Sequence, residues 1–169
     1  MAALAAGRAG ADVILVEEDM AMGGRLLAET EEVDGQPGHL WVQSVLAELE
    51  ALPNVRLMTR TSIVGAYDGG IYGALERVGL HRGDAPEVLP RECFWRITAK
   101  RAVLAAGALE RHIAFPMNDR PGVMMAGAVR AYLNRWGVAP GKAVTIFANN
   151  DDTHRTARDL ISAGIEVAG

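Results

Sequence analysis

Cysteine is almost missing from this 169-residue chain: Cys93 stands alone, so no internal disulfide forms and no CxxC pair offers redox or zinc chemistry. Arg91, Phe94 and Trp95 around it fit a strand, and Cys93 reads as a structural thiol. Long apolar runs are also missing. No stretch approaches the roughly 18 unbroken apolar residues of a membrane span, which excludes that class. There is no excess of positive charge: the formal net charge is -4, spread along the sequence. Without a basic stripe to neutralise phosphates, nucleic acid is not an expected partner. The Ala-rich run after Met1 has no basic residues before it and leads straight into amphipathic sequence, so no secretory signal is expected and a reducing cytoplasm is the default. Low-complexity tails and repeats of 20 to 50 residues are absent too. What remains is half apolar and 22% charged, enough for one soluble domain with a hydrophobic core or for parts of two.

Ala2 to Gly10 combines helix formers and small residues, with Gly10 placed as a C-terminal helix glycine. Asp12 to Val16 (DVILV) follows as a continuous apolar strand of the kind covered on both faces in parallel sheets, ending in Glu17, Glu18 and Asp19. A polar loop runs from the pair Gly23 and Gly24 to Gly38. Trp41, Val45, Leu49 and Leu52 then recur at helical spacing until Pro53 and Asn54 stop the helix. Val55 to Ala66 reads as one long or bent strand, and Ile71 to Leu80 and Phe94 to Thr98 as antiparallel strands of a small β-meander. Arg101 to Ala106 (RAVLAA) is expected to be a buried strand closed by Gly107. After a loop over Pro116 to Gly122, a helix over Ala126 to Trp136 precedes strand Ala143 to Phe147, turn Ala148 to Asp152, helix Thr153 to Ala163 and a strand beginning at Ile165. The helix and strand at the start and the unit at the end could be two copies of one Rossmann-like element. The expected fold class is therefore α/β, a Rossmann-like FAD/NAD(P)-binding fold with an inserted β-meander. Residues 1–125 would form a partial first dinucleotide-binding domain, and 126–169 the start of a second, degenerate unit.

In a dinucleotide-binding βαβ unit, a glycine-rich turn seats the pyrophosphate on a helix N-terminus, and an acidic residue about 20 positions on bonds a ribose hydroxyl. This sequence has the second half of that pattern. Counting back from Glu17 by that spacing puts the last glycine about two residues before Met1, so the first strand and GxGxxG turn are expected to be missing, the chain being cut inside the first helix. Glu17 is the leading ribose ligand, against a solvated acidic turn as the plain alternative. Glu18 and Asp19 could flank the adenosine. No Arg directly follows Glu17 to meet a 2′-phosphate, which favours NAD or FAD over NADP. Gly23 and Gly24 permit close backbone approach and Arg25 brings a cation towards a pyrophosphate, although paired glycines also make ordinary turns. Ala105, Ala106 and Gly107 end a strand as the ATG motif does in glutathione reductase-like flavoproteins.

Aligned on the strand VTIF, the glycine positions of the second unit are held by Ala148, Asn150 and Thr153, whose side chains would crowd a pyrophosphate. No nucleotide is expected there, and Asn149, Asn150, Asp151 and Asp152 are expected to cap the next helix. Asp151, Asp152 and His154 could be weighed as metal ligands, but the segment supplies no other donors, and no metal site is expected. The histidines His39, His81, His112 and His154 are scattered without a catalytic partner, so no catalytic residue is assigned.

The stretches GRAGADVILVEEDMAMGGRLLAETEEVDG, VRLMTRTSIVGAYDGGIYGALERVG, RAVLAAGALERHIAFPMNDRPGVMMAGAVRAYLNRWGV and ANNDD resemble the alpha subunits of bacterial heterotetrameric sarcosine oxidases. The resemblance spans essentially the whole chain and is most specific at ALERHIAFPMNDRPGVMMAGAVRAYLNR. It implies an NAD-holding dinucleotide domain, with FAD and FMN elsewhere in a complex with beta, gamma and delta subunits. Such a complex oxidatively demethylates sarcosine to glycine, forms hydrogen peroxide and passes the one-carbon unit to tetrahydrofolate. The resemblance further implies NAD adenosine near Glu17, Glu18 and Asp19, with Arg25 and Ile63 beside the nucleotide, Arg25 standing where relatives carry a smaller hydroxyl residue. It implies that this chain alone is inactive and binds dinucleotide weakly or not at all. Two other readings share the same grammar: an FAD-binding domain of an amino-acid or opine-type dehydrogenase, and a structural subunit fragment with a vestigial site that docks partners.

Overall fold

A computed structural model describes residues 1–168. Its first half runs α1 (Ala2–Arg8), β1 (Val13–Val16), a 3-10 turn (Gly24–Leu27), β2 (Glu32–Val33), β3 (Gln36–Pro37), α2 (Gly38–Ala51) and β4 (Val55–Met58). Then come β5 (Thr61–Tyr67), β6 (Ile71–Arg77), β7 (Glu92–Thr98), α3 (Ala126–Arg130), a π-helical turn (Ala131–Arg135), β8 (Ala143–Thr145), α4 (Thr153–Ser162) and β9 (Glu166–Ala168). Two parallel pairs, β1 with β4 and β8 with β9, are each joined through a helix. That is the βαβ connection that parallel pairing requires, and it makes the fold Rossmann-like α/β. Contacts divide the chain into two compact units, Met1–Met22 with Val42–Ala106, and Gly23–Trp41 with the chain from Gly107 on. This contact-based partition differs from the sequence units 1–125 and 126–169.

In the first unit α1 packs on the start of β4 through Gly7, where a Cβ would lie 2.8 Å from Val55 Cγ2 and 2.9 Å from Leu52 Cδ1. Gly10, at φ +81°, lets the chain turn back into β1, as the expected helix-ending glycine should. Asn54 holds that turn from the other side, its Nδ2 donating to the carbonyls of Gly7 at 3.0 Å and Ala11 at 2.6 Å. Leu4, Met22, Val42, Leu49, Met58 and Ala74 are the buried apolar residues of this unit. The expected run from Val55 to Ala66 is two strands. Arg60, at φ 52°, turns the chain so that β4 pairs with β1 and β5 joins the antiparallel sheet β5-β6-β7. The meander is therefore present as expected, with a bulge between Ile63 and Gly65. Trp95 on β7 ties it together: Nε1 donates to Glu76 Oε2 at 2.6 Å, and the Arg56 guanidinium lies 4.5 Å from the ring centroid.

Two strand expectations need correction. Arg101 to Ala106 carries no regular structure and is exposed, Val103 at 73% and Leu104 at 92%. Composition suits this run to a strand, but a strand exists by pairing, and none of the four sheets among the described residues includes it. β1 is likewise not covered on both faces. Its sheet has two strands, and Ile14 is 46% exposed.

In the second unit the polar loop contains structure that was not expected. β2 and β3 form a hairpin around Asp34 and Gly35, whose φ values of 52° and 75° suit a two-residue Asp-Gly turn. Trp41 Nε1 anchors it by donating to Asp34 Oδ2 at 3.1 Å. The core gathers Val129, Leu160 and Ile165, with Leu133, Val144, Ile146 and Val167 packed against them. The helix expected over Ala126 to Trp136 relaxes into a π-helical turn after Arg130. Asp152 is the N-cap residue of α4 but makes no side-chain cap bond. Its amide donates to Asn150 Oδ1 at 3.0 Å, while its carboxylate faces Arg25 and Arg155, so ion pairing displaces the expected cap.

Candidate functional site

The carboxyl end of β1 carries the acidic turn. Glu17 continues the parallel ladder, its amide donating to the Met58 carbonyl at 2.8 Å and its own carbonyl accepting from Thr61 N at 2.9 Å. Its half-buried side chain folds back so that Oε1 accepts from the Asp19 amide at 3.0 Å. Oε2 has no hydrogen-bond partner among the described residues. The turn is pinned further on: Arg77 Nη2 donates to the Glu18 carbonyl at 2.6 Å, and the Arg60 amide to the Asp19 carbonyl at 2.8 Å. Thus Glu17, Glu18 and Asp19 sit on a fixed backbone at the end of a parallel pair, where open α/β sheets bind ligands. Ile63 lies two residues beyond Thr61, which bonds the Glu17 carbonyl, and is 49% exposed on β5. Glu17, Glu18, Asp19, Ile63 and Ala106 all belong to the first unit.

Gly24, Arg25 and Gly107 belong to the second unit. Gly24 and Gly107 take φ of +53° and +68° with open space where a Cβ would stand, so backbone approach is unobstructed at both. Arg25 is committed within its own unit: Nε pairs with Glu29 Oε1 at 2.8 Å and Nη2 with Asp152 Oδ2 at 3.1 Å. Burial acts to lower its pKa, but the two carboxylates outweigh that and raise it. None of the 19 glycines is followed two residues later by another, so a GxG turn does not occur in the chain. The sequence reading missed a second polar cluster around Asp159, which is 7% exposed. Thr30 donates to Oδ1 at 2.8 Å, and Arg130 and Asn134 to Oδ2 at 2.9 and 2.8 Å. Burial alone would raise the Asp159 pKa; hydrogen bonds from Asn134, Arg130 and Thr30, with the Arg130 charge, overcome it and hold the carboxyl below its usual range. Spacing of these residues along the chain gave no signal, because the cluster assembles from three distant segments. No group of three or more potential metal ligands occurs among the described residues.

A parallel βαβ pair ending on a fixed carboxylate, an antiparallel meander and a second βαβ unit define a dinucleotide-fold oxidoreductase domain of the flavoprotein type. The crystal structure of L-proline dehydrogenase from P. horikoshii has this fold, with a TM-score of 0.79 and 26% identity over 99% of this chain and 32% of its own. No protein-family model matches the sequence. Sarcosine oxidase subunit alpha of Rhizobium meliloti (strain 1021) is 51% identical over 166 residues, covering 98% of this chain and 17% of the relative. The corresponding subunit of Corynebacterium sp. (strain P-1) is 41% identical over 169 residues, 99% of this chain and 18% of its own length. This chain is thus homologous, along nearly its whole length, to one segment of sarcosine oxidase alpha subunits, and it spans under a fifth of those relatives.

Proposed function

We propose that this chain is the NAD-binding portion of a sarcosine oxidase-type alpha subunit, working in a complex that oxidatively demethylates sarcosine to glycine. In this reading residues 1–125 are the partial first dinucleotide domain and 126–169 the degenerate second unit. The observation that carries the site is the free Oε2 of Glu17 on a backbone-fixed turn at the end of β1, a placement suited to accepting from ribose hydroxyls. Glu18 and Asp19 flank the adenosine, with Ile63 and Ala106 of the same unit beside the nucleotide; Gly24 and Gly107 offer unobstructed backbone within the second unit. Arg25 is already held by two carboxylates of its own unit, which leaves no direct pyrophosphate fork to it. Bound dinucleotide would supply hydride-transfer capacity; this chain contributes position and electrostatics alone. FAD and FMN belong elsewhere in the complex, with beta, gamma and delta subunits as partners in the cytoplasm.

Because the chain offers carboxylates for the ribose but no GxG turn for the phosphates, its own dinucleotide affinity is weak. Calorimetry of the chain with NAD and with FAD should give dissociation constants of about 1 mM or weaker, roughly -4 kcal/mol. Nanomolar affinity would sink this part. The site itself is tested in a full-length alpha subunit carrying this segment. Glu17→Ala should strip NAD from the purified subunit, read by chromatography of the released nucleotide, and NAD retained in full would refute the assignment.

A second reading, a redox-active FAD domain of an amino-acid dehydrogenase, draws on the structural likeness to L-proline dehydrogenase. A flavin absorption band in the purified full-length subunit, assigned to this segment by its loss in Glu17→Ala, would select it over the first.

A further inference from the structure

A cavity of about 180 Å³ opens in the second unit, lined by Thr30, Glu31, Arg130, Arg155, Arg158, Asp159 and Ser162. The residues on α4 follow helical spacing, so Arg155, Arg158, Asp159 and Ser162 share one face. Three arginines meet two carboxylates there, and the pairing between them is uneven. Glu31 is bonded by Arg155 Nε at 2.9 Å. Asp159 takes donors on both oxygens, from Thr30, Arg130 and Asn134. Arg155 also faces Asp152 Oδ1 at 3.7 Å and Arg130 Nη1 faces Glu29 Oε1 at 3.6 Å, which leaves Arg158 and Arg130 Nη2 as the donors without an acceptor among the described residues. Arg158 has no ion-pair partner among the described residues. Arg130 has a side chain only 4% exposed, and its Nη2 is buried with no hydrogen-bond partner among the described residues. A buried guanidinium nitrogen without an acceptor is costly, and an anion beside it is a standard way to remove that cost.

We propose that this cavity is a binding site for a small oxyanion, a phosphate or carboxylate group, held by Arg130 and Arg158 with the Ser162 hydroxyl at its rim. Guanidinium forks match the geometry of such groups, and charge-assisted bonds to them are short and strong. The volume sets the size of the ligand. Pockets that enclose whole drug-sized ligands run to about 300–1,000 Å³, so this one takes a free anion or the anionic end of a larger molecule, not a dinucleotide. The site is independent of the Glu17 turn, and its residues belong wholly to the second unit.

The test is thermal unfolding of the purified chain against inorganic phosphate and, separately, acetate, each with sodium chloride matched for ionic strength. Saturable stabilisation by phosphate or by acetate beyond chloride supports the site, and which of the two acts identifies the source of the oxyanion. Stabilisation equal to chloride in both arms overturns the proposal. Arg158→Gln removes an exposed residue without a structural partner and should weaken binding by about tenfold or more. Arg8→Gln, on the surface of the first unit, should leave binding unchanged. Full retention of binding by Arg158→Gln would place the anion elsewhere and likewise overturn the assignment.

Discussion

Arg130 Nε donates to Asp159 Oδ2 at 2.9 Å, joining α3 to α4 through two side chains of 4% and 6% exposure. Both charges are out of water, and the same carboxylate also holds Thr30 and Asn134, and through Asn134 the Ala28 carbonyl at 2.9 Å. Asp159 is thus the point at which the 23–41 segment is fastened to the helices of its unit. Removing one partner of a buried pair leaves an uncompensated charge, a loss of about 3–5 kcal/mol. Asp159→Ala should show a loss of that order in urea unfolding. A loss under about 1 kcal/mol would mean the cluster is solvated.

The same carboxylate gives the pH response a sign. Its folded pKa is depressed, so its stabilisation is fully present above the unfolded value, near about 3.9, and is lost as pH falls through the folded value. Wild type should therefore lose stability on acidification below about pH 5 more steeply than Asp159→Asn, and the two should converge. Urea midpoints between pH 7 and pH 3 measure this. A gap between the two proteins that widens on acidification contradicts it.

Gly7→Ala sets two effects against each other. Alanine is favoured over glycine in a helix by about 1 kcal/mol, so propensity alone predicts stabilisation. The added Cβ, however, meets Val55 Cγ2 at 2.8 Å and Leu52 Cδ1 at 2.9 Å, and Val55 is held in the β1–β4 ladder. Overpacking typically costs about 1–3 kcal/mol, so the substitution should be neutral to destabilising. Ala5→Gly, on the exposed side of the same helix, should cost only the propensity term. A clear gain of stability in Gly7→Ala would show that α1 is not packed on β4.

Much of this fold was legible in the sequence because the governing signals are local. Gly10 marks the end of α1, Pro53 and Asn54 the end of α2, and the run Phe94 to Thr98 most of the last strand of the meander, Glu92–Thr98. The Asp34-Gly35 pair is a local hairpin signal, and β2 and β3 pair around it inside a run whose composition is that of a polar loop. Three features were not readable. Arg60 adopts a positive φ that nothing in its own chemistry demands, and so splits one apparent strand into two. Asp152 trades its cap role for Arg25, a partner 127 residues away, and Asp159 draws its donors from residues 25 to 129 positions distant. Such pairings depend on tertiary placement that no sequence spacing encodes. At the candidate site, the strand-end position of Glu17 was legible, while the commitment of Arg25 to Glu29 and Asp152 was not.

The run from Arg101 to Ala106 yields the last prediction, since it is where sequence and structure disagree most. Val103, Leu104 and, just beyond, Leu109 are 73%, 92% and 93% exposed, with no sheet partner among the described residues. An exposed apolar run outside any sheet is a template for pairing between copies. Leu104→Lys puts a charge on that template without removing a packed group. Its effect on urea unfolding should stay within about 0.5 kcal/mol, as for exposed positions away from special contacts. Its effect on association should be large: light scattering that rises with concentration in wild type should stay flat in the variant. If the substitution instead lowered stability by several kcal/mol, Leu104 would be packed in solution, and the segment would be the buried strand that its composition describes.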